Sequence, residues 1–179
     1  MRTGIEKSRN LMTVRLANRI GMKKIKEHIK DFDLNSGIND KLSMSLGSGS
    51  VSLIGISNAY AMIANGGIKI KPKLIKSIYS KKGKKIFSSS SKNCENCILN
   101  NIKSNIKIPI ITKSEEFVVD PKIAYQVTSM MEGVIKRGTA KKLKDLKVPI
   151  AGKTGTTNEN KDAWFIGYSP NLVIGVFVG

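Results

Sequence analysis

The sequence is poor in the residues on which several large classes of protein depend. Aromatic residues make up 6% of its 179 residues, and it contains one histidine and two cysteines. No apolar run approaches the roughly 18 residues that span a bilayer, and the first ten residues lack the apolar segment of a signal peptide. We therefore expect these residues to contain no metal or cofactor site, no membrane span and no secretion signal.

Acidic residues are also scarce, since 13 Asp and Glu stand against 31 Lys and Arg and give a net charge of +18. Lysine dominates and is spread over nearly every segment, whereas nucleic-acid-binding proteins more often show an Arg-rich stripe with aromatic stacking partners. The charge favours a solvated lysine surface and no nucleic-acid partner. An anionic partner, such as membrane lipid, cell-wall polymer or nucleic acid, is the alternative.

The two cysteines stand together, as Cys94 and Cys97 in the polar stretch "FSSSSKNCENCILNNIKSNIK". One C-x-x-C supplies at most half of a four-ligand zinc site, and the single histidine, His28, is distant in sequence. The pair is typical of a local loop feature without chemistry, and a loop disulfide is the alternative.

Periodicity and composition divide the chain into four parts. The first part is helical, with an interruption at Gly21 and an Ala-rich helix, "LIGISNAYAMIANGG", that glycines close. The second reads as two strands, "IKIKPKLIKSIYS" and "KKIFS", joined at Gly83, and the third is a polar insertion. The last begins with a helix for which Asp120 is the N-cap and Pro121 the first residue. These parts are residues 1–67, 68–87, 88–117 and 118–179.

The order of helices, hairpin, helix and antiparallel strands predicts an α+β fold in which helices pack on an antiparallel sheet. The length and the apolar fraction of 40% are sufficient for a hydrophobic core.

The stretch "IAGKTGTTNENKDAWFIGYSPNLVIGVFVG" places a lysine among hydroxyls on a predicted strand. Strand alternation puts Lys153 and Gly155 on one face, and Thr154 and Thr156 on the other. Gly155 removes a side chain where a ligand or a second backbone can lie against the strand. A lysine, hydroxyls and backbone N–H groups favour a receptor for a carboxylate or an oxyanion. A solvated strand end is the alternative.

A second polar group, in "KSRN", precedes the first long helix. Taken alone, Ser8 reads as an N-cap and Asn10 as a first-turn polar residue. Taken with "KTG", the tripeptide "SRN" resembles the SxN and KTG motifs of penicillin-binding transpeptidases, and specifically those of the class A, bifunctional proteins. The longer blocks "KSRNLMTVRLA", "SNAYAMIANGG" and "SMMEGVIKRGTA" strengthen the resemblance, which covers nearly the whole chain except 88–117.

The resemblance implies a penicillin-binding transpeptidase or serine β-lactamase-like fold, present in part, and a set of catalytic roles. Ser8 would relay a proton to the leaving group, and Asn10 would hydrogen-bond the substrate backbone. Lys153 would maintain the electrostatics of the relay and attract the terminal carboxylate of the substrate. The substrate-binding residues would be Thr154, Gly155, Thr156 and Thr157, with the Thr156 N–H as half of the oxyanion hole.

The reaction that the resemblance implies is acyl transfer on peptidoglycan. A serine attacks the D-Ala-D-Ala bond of a stem peptide, D-Ala leaves, and the amine of a neighbouring stem takes the acyl group. β-Lactams mimic the donor and trap the acyl-enzyme. Stem peptides and β-lactams are therefore the expected ligands, and the periplasmic face of the inner membrane is the expected place of work.

The sequence departs from the family at its nucleophile motif, SxxK, which stands N-terminal of SxN in the family. Only seven residues precede Ser8, and the two SxxK strings present, 89–92 and 104–107, lie in the polar insertion and read as chance matches. We therefore expect an internal piece of a transpeptidase, inactive alone, with a separate chain carrying SxxK as a partner; without a signal or anchor it would stay in the cytoplasm. A non-catalytic cell-wall-binding remnant and a polyanion binder are the alternative functions.

Overall fold

The computed structural model describes residues 1–34, 37, 39–89, 93–95, 110–112, 115–156 and 162–179. The chain forms two units, the first comprising Met1–Ile70 and Phe117–Gly179 and the second Lys71–Glu116. The helices are α1 (Arg2–Glu6), α2 (Asn10–Ile20), α3 (Met22–Asp31), α4 (Leu53–Ala64) and α5 (Pro121–Arg137), with 3₁₀ helices at Leu42–Leu46 and Lys141–Leu146. The strands are β1 (Ser77–Tyr79), β2 (Lys85–Ser88), β3 (Asn93–Glu95), β4 (Ile110–Thr112), β5 (Ala151–Thr156), β6 (Ala163–Ser169) and β7 (Leu172–Val178).

The first unit contains a three-stranded antiparallel sheet in the order β5-β6-β7. In this register Lys153 lies opposite Ile166, and Gly155 lies opposite Trp164. Helix α5 packs on β5, and α4 packs on β6 and β7. The predicted α+β fold, with helices on an antiparallel sheet, is confirmed.

The core of this unit lies between the sheet and the helices α4 and α5. Met62 of α4 and Val134 of α5 are fully buried, and Met131, Ala151 and Tyr168 form a cluster that joins α5, β5 and β6. Burial of apolar surface at this junction fixes the strand that carries Lys153 relative to α5.

The predicted helix boundaries at Gly21 and Asp120 are confirmed. Gly21 separates α2 from α3 with a φ of 91°, a conformation that glycine adopts without a steric penalty. The Asp120 side chain accepts a hydrogen bond of 2.7 Å from the Lys122 N–H, and Pro121 is the first residue of α5.

The interpretation of Ser8 as an N-cap is wrong. The N-cap of α2 is Arg9, and it makes no side-chain capping bond. Ser8 has a φ of 50°, which lies in the left-handed region. The chain reverses here, because the Arg9 N–H bonds the Gly4 carbonyl at 2.9 Å and so closes α1 in a tight turn.

Among its described residues, the second unit contains two antiparallel strand pairs, β1–β2 and β3–β4. The predicted long first strand of the hairpin is shortened to Ser77–Tyr79, because Pro72 has no N–H to donate to a ladder. In the "CENC" stretch the backbone of Asn93–Glu95 is a strand rather than a loop, and Cys97 lies outside the described residues.

Among the described residues, the structure contains no helix with the length and apolar character of a membrane span.

Candidate active site

The structure brings together the two motifs that the sequence singled out. The Lys153 ammonium on β5 donates a hydrogen bond to the Ser8 hydroxyl in the turn between α1 and α2. It also donates to the Thr154 carbonyl at 2.7 Å. Since an ammonium group has three N–H donors, the two contacts orient the group and leave one donor for a bound anion.

Lys153 is half-buried, and burial lowers the pKa of its ammonium group below the ordinary 10.5. Removing a charge from water disfavours the charged form. A lysine that releases its proton more readily than an exposed one is suited to exchange a proton with a neighbouring hydroxyl.

Asn10, the other polar residue of the "SRN" motif, is the first residue of α2 and is exposed to solvent. Ser8, Asn10, Lys153 and Thr154 line a cavity of about 470 Å³, and Asn10, Lys153, Thr154, Gly155 and Thr156 line an adjoining cavity of about 540 Å³. The predicted site residues that the structure describes therefore surround one cleft. Thr157 lies outside the described residues.

Tyr60 of α4 lines both cavities. Burial raises the pKa of Tyr60 to about 12, so its hydroxyl stays protonated at neutral pH. Its ring lies 6.4 Å from that of Tyr168 in an edge-to-face arrangement, and the Tyr168 hydroxyl is 2.9 Å from the Thr128 hydroxyl. Tyr60 therefore connects the cleft to the core cluster of Met131, Ala151 and Tyr168.

The 3₁₀ helix Leu42–Leu46 and the turn after it supply a further wall of the cleft. Ser43, Ser45, Leu46 and Ser48 line the cavities. No part in the site was predicted for this stretch from the sequence. Serine is a common loop residue, so the composition of the stretch carries no local signal of its position beside Lys153.

Thr139 is a site residue that the sequence analysis did not single out. Its hydroxyl lies 2.7 Å from the hydroxyl of Thr154, the middle residue of "KTG". The signal was present in the block "SMMEGVIKRGTA", because Gly138 and Thr139 follow the end of α5 and so lie beside the strand on which α5 packs.

Glu6 and Arg137 were also missed, because an ion pair across 131 positions leaves no local pattern. The Arg137 guanidinium meets the Glu6 carboxylate at 2.5 Å and 3.3 Å. These hydrogen bonds, above all, hold the pKa of the Glu6 carboxyl below its ordinary 4.5. Glu6 lies two residues before Ser8, and Arg137 lies two residues before Thr139.

Comparison with known proteins identifies the family to which the chain belongs. Residues 1–178 match the family model described as the penicillin-binding protein transpeptidase domain. The chain therefore belongs to the penicillin-binding transpeptidases, and the resemblance seen in the sequence is confirmed.

Particular relatives are penicillin-binding proteins 1A. The chain is 44% identical to that of Rickettsia bellii over 180 residues and 44% identical to that of Rickettsia typhi, and in each case covers 100% of the chain and 23% of the relative. The crystal structure of penicillin-binding protein 1A from Haemophilus influenzae superposes with a TM-score of 0.82 at 26% identity, over 99% of this chain and 29% of that one. The chain thus spans about a quarter of the length of the relatives it matches.

Proposed function

We propose that this chain forms the Ser8, Asn10 and Lys153 side of a D,D-transpeptidase site that cross-links peptidoglycan. The observation that carries the proposal is the hydrogen bond from Lys153 to Ser8, because it joins the SxN and KTG segments in one cleft. The family membership supports the same reaction class.

In this function the chain binds the donor stem peptide by its terminal carboxylate and its backbone. The third N–H of Lys153 and the hydroxyls of Thr154 and Thr156 hold the carboxylate, and the exposed Asn10 amide bonds the peptide backbone. The Thr154 hydroxyl can still bind the carboxylate while it contacts Thr139, because a hydroxyl has one donor and two acceptor positions and that contact occupies only one of them. Thr157 is the remaining residue that we propose to bind the carboxylate.

The chemistry is acyl transfer from the donor peptide to an amine. A serine Oγ supplied by an SxxK segment attacks the D-Ala-D-Ala carbonyl, and the peptide C–N bond breaks as the D-Ala amine receives a proton. Ser8 and Lys153 pass that proton, since their hydrogen bond and the lowered pKa of Lys153 suit a relay. The Thr156 N–H stabilises the oxyanion.

The nucleophile in this proposal comes from a partner segment, in this or in a separate chain, that carries SxxK. Of the two SxxK strings in the sequence, Ser89 lies in the second unit, whereas Lys92 and the 104–107 string lie outside the described residues. Their rejection as nucleophiles stays a prediction. We propose the periplasmic face of the inner membrane as the place where the assembled site works.

The test is binding and labelling with the 179-residue chain. We expect a peptide ending in D-Ala-D-Ala to bind saturably and its C-terminal amide to bind much more weakly. Lys153→Met should abolish binding, whereas the matched control Lys141→Met, at an exposed position in the 3₁₀ helix, should not.

Fluorescent penicillin should not label the chain covalently. Covalent labelling at Ser89 or Ser104 would show that the nucleophile lies in the insertion. Peptide binding that Lys153→Met leaves unchanged would contradict the proposed site.

A second candidate, binding of an anionic polymer, is favoured by the segment 71–89 of the second unit. This segment contains seven exposed lysines and no acidic residue. Binding through this surface should weaken steeply with salt, whereas peptide capture in the cleft depends on Lys153. Binding that is absent or indifferent to salt would dispose of the second candidate.

A further inference from the structure

Helix α1 is too short to form by itself, and its position depends on polar contacts with α5. It has five residues and no side-chain cap, whereas isolated helices of this length are not stable in water. At its start, the Arg2 guanidinium bonds the Ser129 carbonyl at 3.0 Å and the Ser129 hydroxyl at 3.2 Å. At its end, the Lys7 ammonium bonds the Arg137 carbonyl at 2.6 Å.

The central contact of this interface is a buried carboxylate. Glu6 is 6% exposed. The Arg137 guanidinium donates two hydrogen bonds to its carboxylate, of 2.5 Å and 3.3 Å. A buried charge is tolerated only where it is paired and hydrogen-bonded. Arg137 meets both requirements.

Helix α5 is shaped to receive Glu6. A Cβ atom at Gly133 would overlap the Glu6 carboxylate, and one at Gly138 would overlap the Glu6 carbonyl oxygen. Glycine within a helix is less favourable than alanine. The absent side chain at Gly133 therefore makes space for the carboxylate at some expense to α5.

The contacts of Glu6 lead to both motif segments. Its carbonyl accepts a hydrogen bond of 3.2 Å from the Thr139 N–H, and the Thr139 hydroxyl contacts that of Thr154 at 2.7 Å. On the other side, Lys7 connects Glu6 to Ser8, which contacts Lys153. The two series of contacts start at Glu6 and meet at the neighbours Lys153 and Thr154, so together they form a closed ring of contacts. Glu6 is the buried residue of this ring.

The ring also explains how Ser8 keeps an unfavourable backbone. A non-glycine residue in the left-handed region is unfavourable and persists only when its surroundings fix it. Ser8 has a φ of 50°, and it lies directly after the segment that Arg137 and Thr139 hold.

We propose that Glu6 is a positioning residue, which, held by Arg137 and seated against Gly133, places the Ser8 hydroxyl on the Lys153 ammonium. Glu6 touches no substrate in this role and acts through the turn at Ser8. The catalytic meaning of the inference rests on the proposed function, but the contact itself is measurable without any substrate.

The test is an NMR measurement of the cross-peak between the Ser8 β-protons and the Lys153 ε-protons in the full chain. We expect the cross-peak in the wild type and its loss in Glu6→Gln, with the signals of the α5–β6 contact at Thr128 and Tyr168 unchanged. Gly133→Ala is a second variant that alters no charge and favours the helix, and it should lose the cross-peak too. Glu132→Gln is the control, because it breaks an exposed ion pair with Lys136 on the same helix and should keep the cross-peak.

Several outcomes would overturn the inference. They are a wild type without the cross-peak, a cross-peak that persists in both test variants, and global unfolding of either variant, since the inference requires a local displacement on an intact core. Binding of the D-Ala-D-Ala peptide is measured separately. A chain that shows the expected cross-peak losses but binds no peptide would retain the positioning role and refute the proposed function.

Discussion

The Lys153 ammonium donates a hydrogen bond to the Ser8 hydroxyl across 145 positions of sequence, and burial lowers its pKa. Because the folded chain binds this proton less tightly than the unfolded chain, stability should rise as the pH increases through the folded-state pKa towards 10.5. A ¹³Cε titration of labelled lysines, with Lys153→Arg to identify the signal, measures the midpoint. A midpoint at or above 10.5 would contradict the burial of the ammonium group.

We expect Glu6 to account for part of the loss of folding stability at acid pH. The folded-state pKa of this carboxyl is lowered, chiefly by its hydrogen bonds to Arg137. Its stabilising contribution is therefore complete above the ordinary pKa of 4.5 and is lost as the pH falls below 4.5 through the folded-state value. Urea unfolding at a series of pH values should show a smaller loss of stability in Glu6→Gln. Equal pH dependence in the variant and the wild type would count against this contribution.

Met62→Ala should destabilise the chain by about 2–5 kcal/mol, because the side chain is fully buried in α4 and its loss leaves a cavity. Leu74→Ala is the control, since Leu74 is 91% exposed, and surface changes usually remain within about 0.5 kcal/mol. Urea denaturation measures both. Similar losses for the two variants would show that the core between α4 and the sheet is not formed in solution.

Asp120→Ala should lower the free energy of unfolding by about 1 kcal/mol, because it removes the side chain that accepts from the Lys122 N–H at the start of α5. Asp120→Asn retains a capping oxygen and should lie close to the wild type. The thermal midpoint of each variant provides the measurement. An asparagine variant as unstable as the alanine variant would point to the charge rather than the cap.

Gly152→Ala should destabilise the sheet by about 1–3 kcal/mol, the usual cost of overpacking. The added Cβ would lie 2.8 Å from the Ile166 carbonyl oxygen and 3.1 Å from the Gly167 Cα, and neither backbone atom can move without distorting β6. At Gly155 the nearest atom is the Trp164 Cβ at 3.2 Å, so Gly155→Ala should cost less. The midpoints of urea unfolding should follow this order.

The sequence predicted the parts of the fold that depend on local chemistry. Asp120 and Pro121 mark a helix start by capping and by fixed φ, and Gly21 marks a break, so those boundaries could be predicted residue by residue. The long first strand predicted across Pro72 was wrong, because proline has no N–H to donate to a strand ladder.

The site was predictable as two motifs but not as a geometry. "SRN" and "KTG" are short patterns, but strand alternation, which puts Lys153 and Thr154 on opposite faces, did not predict that both line the same cleft. The left-handed backbone of Ser8 and the ion pair of Glu6 with Arg137 depend on the packing of α1 against α5. Packing of this kind is decided by tertiary contacts that no local propensity encodes.

The chain leaves and re-enters the first unit at one place. The Val118 N–H bonds the Gly67 carbonyl at 2.8 Å, and Ile68 forms a bridge with Phe117. Gly67 is required there, because it has a φ of 87° and a Cβ would overlap the Val119 carbonyl oxygen.

A segment whose two ends are already joined can change in length at little cost, since each doubling of a loop adds only about 0.6 kcal/mol of closure entropy. The stretch from 71 to 116 can therefore change in length at little cost in free energy to the unit that carries Lys153. Insertions and deletions in this segment can thus accumulate independently of the residues around the cleft.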